Sequence, residues 1–362
     1  MRAVQMTAVG QPLELRDAIA REPAAGEVRV RIRAAGICHS DAHYRAGLSA
    51  MGPLPLTLGH EIAGVIERVG AGVSTGVSPG VGAGVSTGVS PGVGALAVGD
   101  RVCLHYLLTC GTCAHCIAGR ESFCVRGAML GHHVDGGFAE AITVPARNAV
   151  PLPEAIPFEH GAIMMCSSAT ALHALRRGRL RPGESVAVFG CGGLGVSAVQ
   201  LARALGAREV FAVDLAADKL ALARTLGAIA IDARDGDPVA AIRAASGGAG
   251  ADVTLDFVGQ PATMLAAVRV LAPQGRAVLV GLSKARLELD PYREILGPEA
   301  ELIGSNDHTL AELHELIAFV EHGQLDLSHA VTATVPLETG AINGVLDALE
   351  QGRAGVRTVV VL

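Results

Sequence analysis

The 362-residue chain has no tryptophan, three tyrosines and seven phenylalanines. So few aromatic side chains leave little on which nucleic-acid bases could stack. A formal charge of -6 and a pI near 6.1 supply no basic footprint for nucleic acid either. Lysine occurs only at positions 219 and 284. Arginine carries the rest of the positive charge, which reflects genomic base composition rather than chemistry. Half of the residues are hydrophobic, but no uninterrupted apolar run approaches the ~20 residues of a membrane span. The opening MRAVQMTAVGQPLELRD carries Arg2, Glu14, Arg16 and Asp17 and lacks an apolar stretch. That argues against a secretory signal and for a cytoplasmic protein.

The length suffices for two domains with cores of their own. Eight cysteines stand at 38, 103, 110, 113, 116, 124, 166 and 191. In a large chain without a secretory signal they point to metal binding rather than to disulfides. Up to about residue 165, short β-like runs such as EVRVRIRAAG, EIAGVIERVG, DRVCLHYLL and FAEAITVP alternate with glycine and proline. From Thr170 the texture changes. SVAVFG, EVFAVD, AIAID, ADVTLDFVG, RAVLVGL and AELIGS alternate with helical segments, which predicts a doubly wound parallel sheet of the Rossmann kind. After a further amphipathic helix the chain returns to β character in RTVVVL, so the tail is expected to pack back on the first domain.

One stretch belongs to neither texture. Residues 72–95 are a twelve-residue unit, GVSTGVSPGVGA, written twice. It holds no charge and no metal ligand, and its Gly, Ser and Pro break regular structure. It reads as a tandem expansion of a surface loop. Valine at every fourth position leaves an extended flap or a subunit contact as the alternative.

Gly190-Cys191-Gly192-Gly193-Leu194-Gly195 matches GxGxxG. Alone this is weak, since tight turns produce many such matches. Here it follows the strand SVAVF and opens a helix, and Asp214 ends the next strand nineteen residues after Gly195. In that setting the glycines permit the turn, the approach of a pyrophosphate and close helix packing, while helix N–H groups meet phosphate. Asp214 would accept the adenosine ribose hydroxyls and repel a 2′-phosphate, favouring NAD over NADP; a strand-end turn is its plain structural role. Cys191 reads as a small filler.

CGTCAHCIAGRESFC sets Cys110, Cys113, Cys116 and Cys124 on one short lobe. Four thiolates close a tetrahedral zinc shell with no open position, so the site is structural. His115 within it reads as a solvated loop residue, and Cys103 on the preceding strand as core. A dispersed set follows from GICHSDAHY, LGHEIAG and MMCSSATALHAL. Each piece alone is explained by a buried cysteine or a hydrogen-bonded histidine. Together Cys38, His60 and Cys166 form a soft S₂N set suited to zinc with an open fourth position.

With these motifs in this order, the chain resembles the zinc-dependent medium-chain alcohol dehydrogenases over almost its whole length, the repeat excepted. The resemblance implies a GroES-like catalytic domain over 1–167, with a structural zinc lobe at 103–126 and the repeat loop at 72–95. A Rossmann domain would follow over 168–305, and 306–362 would complete the catalytic domain. It also implies one catalytic and one structural zinc per chain. Cys38, His60 and Cys166 would hold the catalytic zinc, with Glu61 beside it and Asp41 behind His60. Ser40 would bond the substrate oxygen and His43 would end a proton relay. His39, Thr170, Lys219 and Arg357 would contact NAD, although His39, Lys219 and Arg357 could equally be solvated. Leu48, Met51, Tyr106, Met129, Met165 and Leu282 suggest an apolar cleft without naming the substrate. The expected partners are a small alcohol, aldehyde or ketone and further copies of the chain, as a dimer or tetramer, with no nucleic acid and no membrane. A polyol dehydrogenase is the neighbouring alternative, disfavoured because Cys166 stands where those enzymes commonly carry an acid. A zinc-free quinone-reductase-like enzyme is disfavoured by the retained cysteines. A nucleotide-binding structural protein would have no use for Ser40 and His43.

Overall fold

The computed structural model describes residues 1–73 and 95–362. The loop reading of the 72–95 repeat lies outside the described residues, apart from the segment's ends. By its contacts the chain divides into two units. The first comprises Met1–Cys166, Thr309–His314 and Val331–Leu362; the second comprises Ser167–His308 and Glu315–Ala330. The strands run in chain order as β1 (Arg2–Met6), β2 (Glu14–Asp17), β3 (Glu27–Ile37), β4 (Leu56–Thr57), β5 (Glu61–Val69), β6 (Arg101–Leu104), β7 (Leu107–Leu108), β8 (Ala128–Met129), β9 (Ala141–Pro145) and β10 (Ala149–Pro151). They continue as β11 (Ser185–Phe189), β12 (Glu209–Asp214), β13 (Ile229–Asp232), β14 (Ala251–Asp256), β15 (Leu271–Leu279), β16 (Glu301–Gly304), β17 (Val331–Pro336) and β18 (Arg357–Val361).

In the first unit the main sheet runs β10-β6-β5-β3-β18-β17, and β9 also pairs with β3. Strand β3 is its spine. Val28, Val30 and Ile32 point into the core while Arg31 and Arg33 point out, the period-two pattern of a half-buried strand. The C-terminal β18 pairs antiparallel with β3, Thr358 opposite Ile37, so the end of the chain lies beside the strand that leads to Cys38. Strands β5 and β6 are antiparallel neighbours, and the Gly99 N–H donates to the Ile66 carbonyl at 2.8 Å. The repeat therefore connects two adjacent strands.

DRVCLHYLL is not one strand. β6 stops at Leu104 because Asn148 takes over the backbone acceptors that follow. Its Nδ2 donates to the carbonyls of His105 at 2.7 Å and Leu107 at 2.8 Å. The ladder breaks there, and the chain restarts as β7 against β8. FAEAITVP likewise becomes a strand only from Ala141.

The second unit is a six-stranded parallel sheet in the order β13-β12-β11-β14-β15-β16. The first strand in sequence lies in the middle, and the chain reverses its direction of travel between β11 and β14. Ligands of such sheets bind outside the strand ends at that switch point. All five residues of β11 are buried, as expected of a strand covered on both faces. Among the described residues, no helix is long and apolar enough to cross a membrane.

Candidate functional site

Helix α1 (His39–Arg45) starts at Cys38. Asp41, three residues on, turns its carboxylate back and accepts the Cys38 N–H at 2.8 Å. Its other oxygen accepts the Gly59 N–H at 3.1 Å and lies 3.4 Å from His60 Nδ1. One fully buried carboxylate thus joins the CHSDAH and GHE segments. At 3.4 Å the contact with His60 is electrostatic rather than an aligned hydrogen bond, and both ring nitrogens of His60 lack an aligned partner. Cys166 comes from a π-helical turn, Met164–Ser168, that follows helix α2 (Phe158–Ile163). Such a turn widens the helix locally and re-aims a side chain.

Cys38, His60, Glu61 and Cys166 are all buried, and each offers a ligand atom within 4.8 Å of the others. Glu61 fits because Gly36 lies against it; a Cβ at that position would sit 2.0 Å from Glu61 Oε2. Arg357, 6 % exposed, reaches Glu61 Oε1 at 2.9 Å. Removing Glu61 alone would strand the buried Arg357 charge, at a cost of about 3–5 kcal/mol. The neighbouring Cys166 holds the Cys38 thiol well below its ordinary value, and Cys38 together with burial holds the Cys166 thiol well above it. Burial works against a charged His60, but Asp41 and Cys38 outweigh it and raise its pKa well above the usual one. Burial pushes Glu61 up to about 8 against the pull of Arg357. A metal ion fits this set: Cys38, His60 and Cys166 with Glu61 would hold it, it would take the place of the thiol and imidazole protons, and the orphaned His60 nitrogen would gain a partner.

The second cluster is local. Cys110, Cys113, Cys116 and Cys124 are half-buried and again bring ligand atoms within 4.8 Å. The Cys113 N–H donates to Cys110 Sγ and the Cys110 N–H to Cys124 Sγ, both at 3.3 Å. Sulfur separations of 3.6 Å (Cys113–Cys116) and 3.9 Å (Cys110–Cys116) are far beyond a disulfide. Backbone N–H donors, first that of Thr112, together with Arg126 hold Cys110 down to about 4. These are the features of a thiolate metal site. His115 is not simply solvated: it is half-exposed with a buried Nδ1 that has no hydrogen-bond partner. Cys103 is core, its thiol pushed up to about 12 by burial.

In the second unit the glycine segment leaves β11 at the switch point and opens helix α3 (Gly193–Ala204). Gly190 has φ +94°, and a Cβ on Gly195 would sit 2.0 Å from the Gly190 carbonyl oxygen, so both need glycine. A Cβ on Gly192 meets nothing within 4 Å, which leaves the backbone open to an approaching pyrophosphate. Asp214 ties the turn together. Its oxygens accept the N–H groups of Cys191 at 2.6 Å, Leu215 at 2.7 Å and Ala216 at 2.9 Å. The strand-end role is therefore real, Oδ1 taking two of these donors and Oδ2 one, which leaves a lone pair of Oδ2 for a ribose. Thr170 is buried on a helix spanning Ala169–Arg177, and Lys219 is half-exposed on one spanning Ala217–Thr225. Cys191 is buried beside the Val213 carbonyl, consistent with a filler.

Residues 24–154 match the alcohol dehydrogenase GroES-like domain, and 193–322 match the zinc-binding dehydrogenase domain. An alcohol dehydrogenase of Geobacillus stearothermophilus is 35 % identical, with 99 % of each chain covered. An NAD-dependent alcohol dehydrogenase of Sulfurisphaera tokodaii is 33 % identical over the whole of both chains. The chain belongs to the zinc-dependent medium-chain alcohol dehydrogenases. The solved alcohol dehydrogenase of Aeropyrum pernix superposes with a TM-score of 0.85 at 34 % identity, covering 100 % of both chains.

For an alcohol dehydrogenase site, the residues named from sequence fall into two groups. Cys38, Ser40, Asp41, His60, Glu61 and Cys166 come together, with Ser40 Oγ 3.7 Å from Cys38 Sγ. His39 is exposed but edges onto His43, ring centroids 4.7 Å apart. Arg357 is buried rather than solvated, with its guanidinium 2.9 Å from Glu61 Oε1. Of the apolar residues suggested for a cleft, Tyr106 and Met165 are buried, Met51 and Met129 half-buried, and Leu48 and Leu282 exposed. Tyr106, turned by the break at Leu104, stands edge-on to His60 with centroids 5.3 Å apart. Sequence reasoning missed Tyr44 and His132, whose rings lie 4.4 Å apart, Tyr44 also standing 6.3 Å from His60. Tyr44 was findable as the residue one helical turn after Ser40. His132 had no local signal.

Proposed function

We propose that Cys38, His60, Cys166 and, in part, Glu61 hold the catalytic zinc of an NAD-dependent alcohol dehydrogenase. The enzyme interconverts an alcohol with its aldehyde or ketone, the hydride passing to or from NAD. The observation that carries the site assignment is a buried S₂N set with an orphaned histidine nitrogen beside a half-buried serine. A zinc ion held there supplies the positive charge that eases removal of an alcohol proton and polarises a carbonyl in the reverse direction.

The chain's own groups handle the proton. Ser40 accepts the substrate hydroxyl proton while passing its own outward. His43, three residues on along α1, lies on the same side of the helix and receives it. Burial and the neighbouring His39 lower the His43 pKa, so its imidazole is neutral and able to accept. Asp41 sets the orientation of His60, the usual part of a carboxylate behind a metal-binding histidine. In the second unit, the loop Gly190–Gly195 seats the pyrophosphate, and Asp214 accepts the adenosine ribose hydroxyls and excludes a 2′-phosphate. Thr170 and Lys219 serve the same cofactor. Cys110, Cys113, Cys116 and Cys124 hold a structural zinc. The enzyme works as a homo-oligomer in the cytoplasm, where its eight free thiols stay reduced. Zinc content per chain, measured together with alcohol-dependent NADH formation, tests the assignment. Two zinc per chain with turnover is the expected result; turnover that survives full metal removal would overturn it.

A further inference from the structure

Helix α1 carries both relay residues, Ser40 and His43, and its last turn is held from outside the helix. Arg45 ends that turn, two residues after His43, and is buried. Its carbonyl accepts the Gly10 N–H at 2.7 Å. Its guanidinium reaches helix α4 (Thr339–Glu350), which packs against α1. There Nη2 meets Asp347 Oδ1 at 2.6 Å and Glu350 Oε1 at 2.8 Å. Nη1 lies 3.5 Å from Asn343 Oδ1, and Asn343 is itself fixed to the Leu13 backbone by two hydrogen bonds of 2.9 Å. Asn343, Asp347 and Glu350 follow one another at helical spacing, so they share one face of α4.

The charges in this cluster do not cancel. One guanidinium faces two carboxylates, which leaves a negative charge in excess beside the turn that carries His43. His43 is half-buried, its ring edge-on to His39. Burial and His39 lower its pKa, while Cys38 and Glu350 raise it. Its charged neighbours are thus His39 and Cys38 from α1 and, across the packing contact, Glu350 from α4. Cys38 belongs to the ligand set, where a bound cation would offset a thiolate charge. Glu350 is the anion left to act on the imidazole. Its side chain is 41 % exposed, so water weakens the effect without changing its sign.

Resting on the alcohol dehydrogenase reading, we propose that Glu350 is a positioning residue of the proton relay, held by Arg45 at the end of α1 so as to stabilise the imidazolium that forms on His43. As the Ser40 hydroxyl takes up the substrate proton, its own proton passes outward to the bare ring nitrogen of His43. An N–H bond forms there, and the ring then releases the proton to water. Asp347 shares the grip on Arg45 and serves the packing of α1 on α4.

The test rests on that difference between two carboxylates on one guanidinium. In zinc-loaded enzyme carrying ¹³C-labelled histidine, the His43 resonance is assigned by its loss in His43→Gln and followed against pH. Glu350→Gln should move its midpoint to lower pH, whereas Asp347→Asn should leave it in place. Alcohol oxidation needs a neutral His43, so the acid limb of kcat/KM should move to lower pH in Glu350→Gln alone. Its plateau should fall about two- to threefold, as for a weaker base. Both replaced side chains are partly exposed, 41 % and 55 %, and a thermal melt shows that the variants fold. Glu350→Ala should act as Glu350→Gln does. A His43 midpoint unmoved in both Glu350 variants, or moved equally by Asp347→Asn, would overturn the proposal. Loaded wild-type enzyme that oxidises no alcohol of a broad panel would instead remove the reading of the reaction, and the relay with it, before any substitution is made.

Discussion

The four-cysteine lobe and the Cys38–His60–Glu61–Cys166 cluster each bring ligand atoms within 4.8 Å of one another, yet the chain builds them in opposite ways. The lobe draws its thiols from fifteen consecutive residues, half-buried, and orders them with backbone N–H donors of the same loop. The other cluster gathers groups from β5, the start of α1 and a π-helical turn, and buries them all. A local, half-exposed site with four like ligands is closed and holds chain together. A dispersed, buried site with mixed ligands depends on the fold for its geometry, and its open side can take a substrate. One cluster supports the structure, and the structure supports the other.

Cys166→Ala strikes the dispersed cluster and should have the largest effect. Losing several kcal/mol of charge stabilisation lowers kcat by about 10³-fold or more. NAD affinity should stay within about twofold, because the glycine loop is built from other residues. Steady-state kinetics with a direct NAD titration and a zinc assay read this, and a variant of full activity would erase the contrast. Cys113→Ser strikes the lobe. It should remove one zinc and lower stability by roughly 3 kcal/mol, about 10 °C in melting temperature, while kcat per folded chain changes by less than about threefold. If this variant keeps its zinc and its melting temperature but loses turnover, the lobe is not structural.

Asp214→Ser touches neither cluster and serves as the comparison's control. The NAD-over-NADP ratio of kcat/KM should fall about tenfold, or 1.4 kcal/mol, with both zinc ions retained. An unchanged ratio would place coenzyme selection elsewhere. The smallest effect is expected from deleting Gly84–Ala95, one copy of the repeat. Strands β5 and β6 pair along their own length, and halving a loop changes closure entropy by only about 0.6 kcal/mol. Stability should shift by at most about 1 kcal/mol, with kcat and zinc content unchanged. A tenfold fall in kcat, or a change of oligomeric state in a sizing run, would make the repeat a working part.

What could be read in the sequence follows the range of the interaction. The six strands of the parallel sheet were legible because each is a short apolar run between helices, and β11, covered on both faces, is buried throughout. The fingerprint Gly190–Gly195 and the four cysteines were legible because all their parts lie within one turn or one lobe. Cys38, His60 and Cys166 were grouped by their donor chemistry, and their role at one catalytic zinc came from resemblance, since no spacing rule links residues so far apart. Other features had no local signal. Asn148 ends β6 by taking backbone acceptors from a segment some forty positions away. Arg357 meets Glu61 only because β18 returns to lie beside β3. His132 reaches Ser49 only because two loops are stapled at Gly52. Periodicity, turn residues and local ligand spacing are properties of neighbours along the chain, and the sequence by itself determined what depends on them. A side chain's partner across the fold depends on strand pairing and loop docking, and only the tertiary structure decided it.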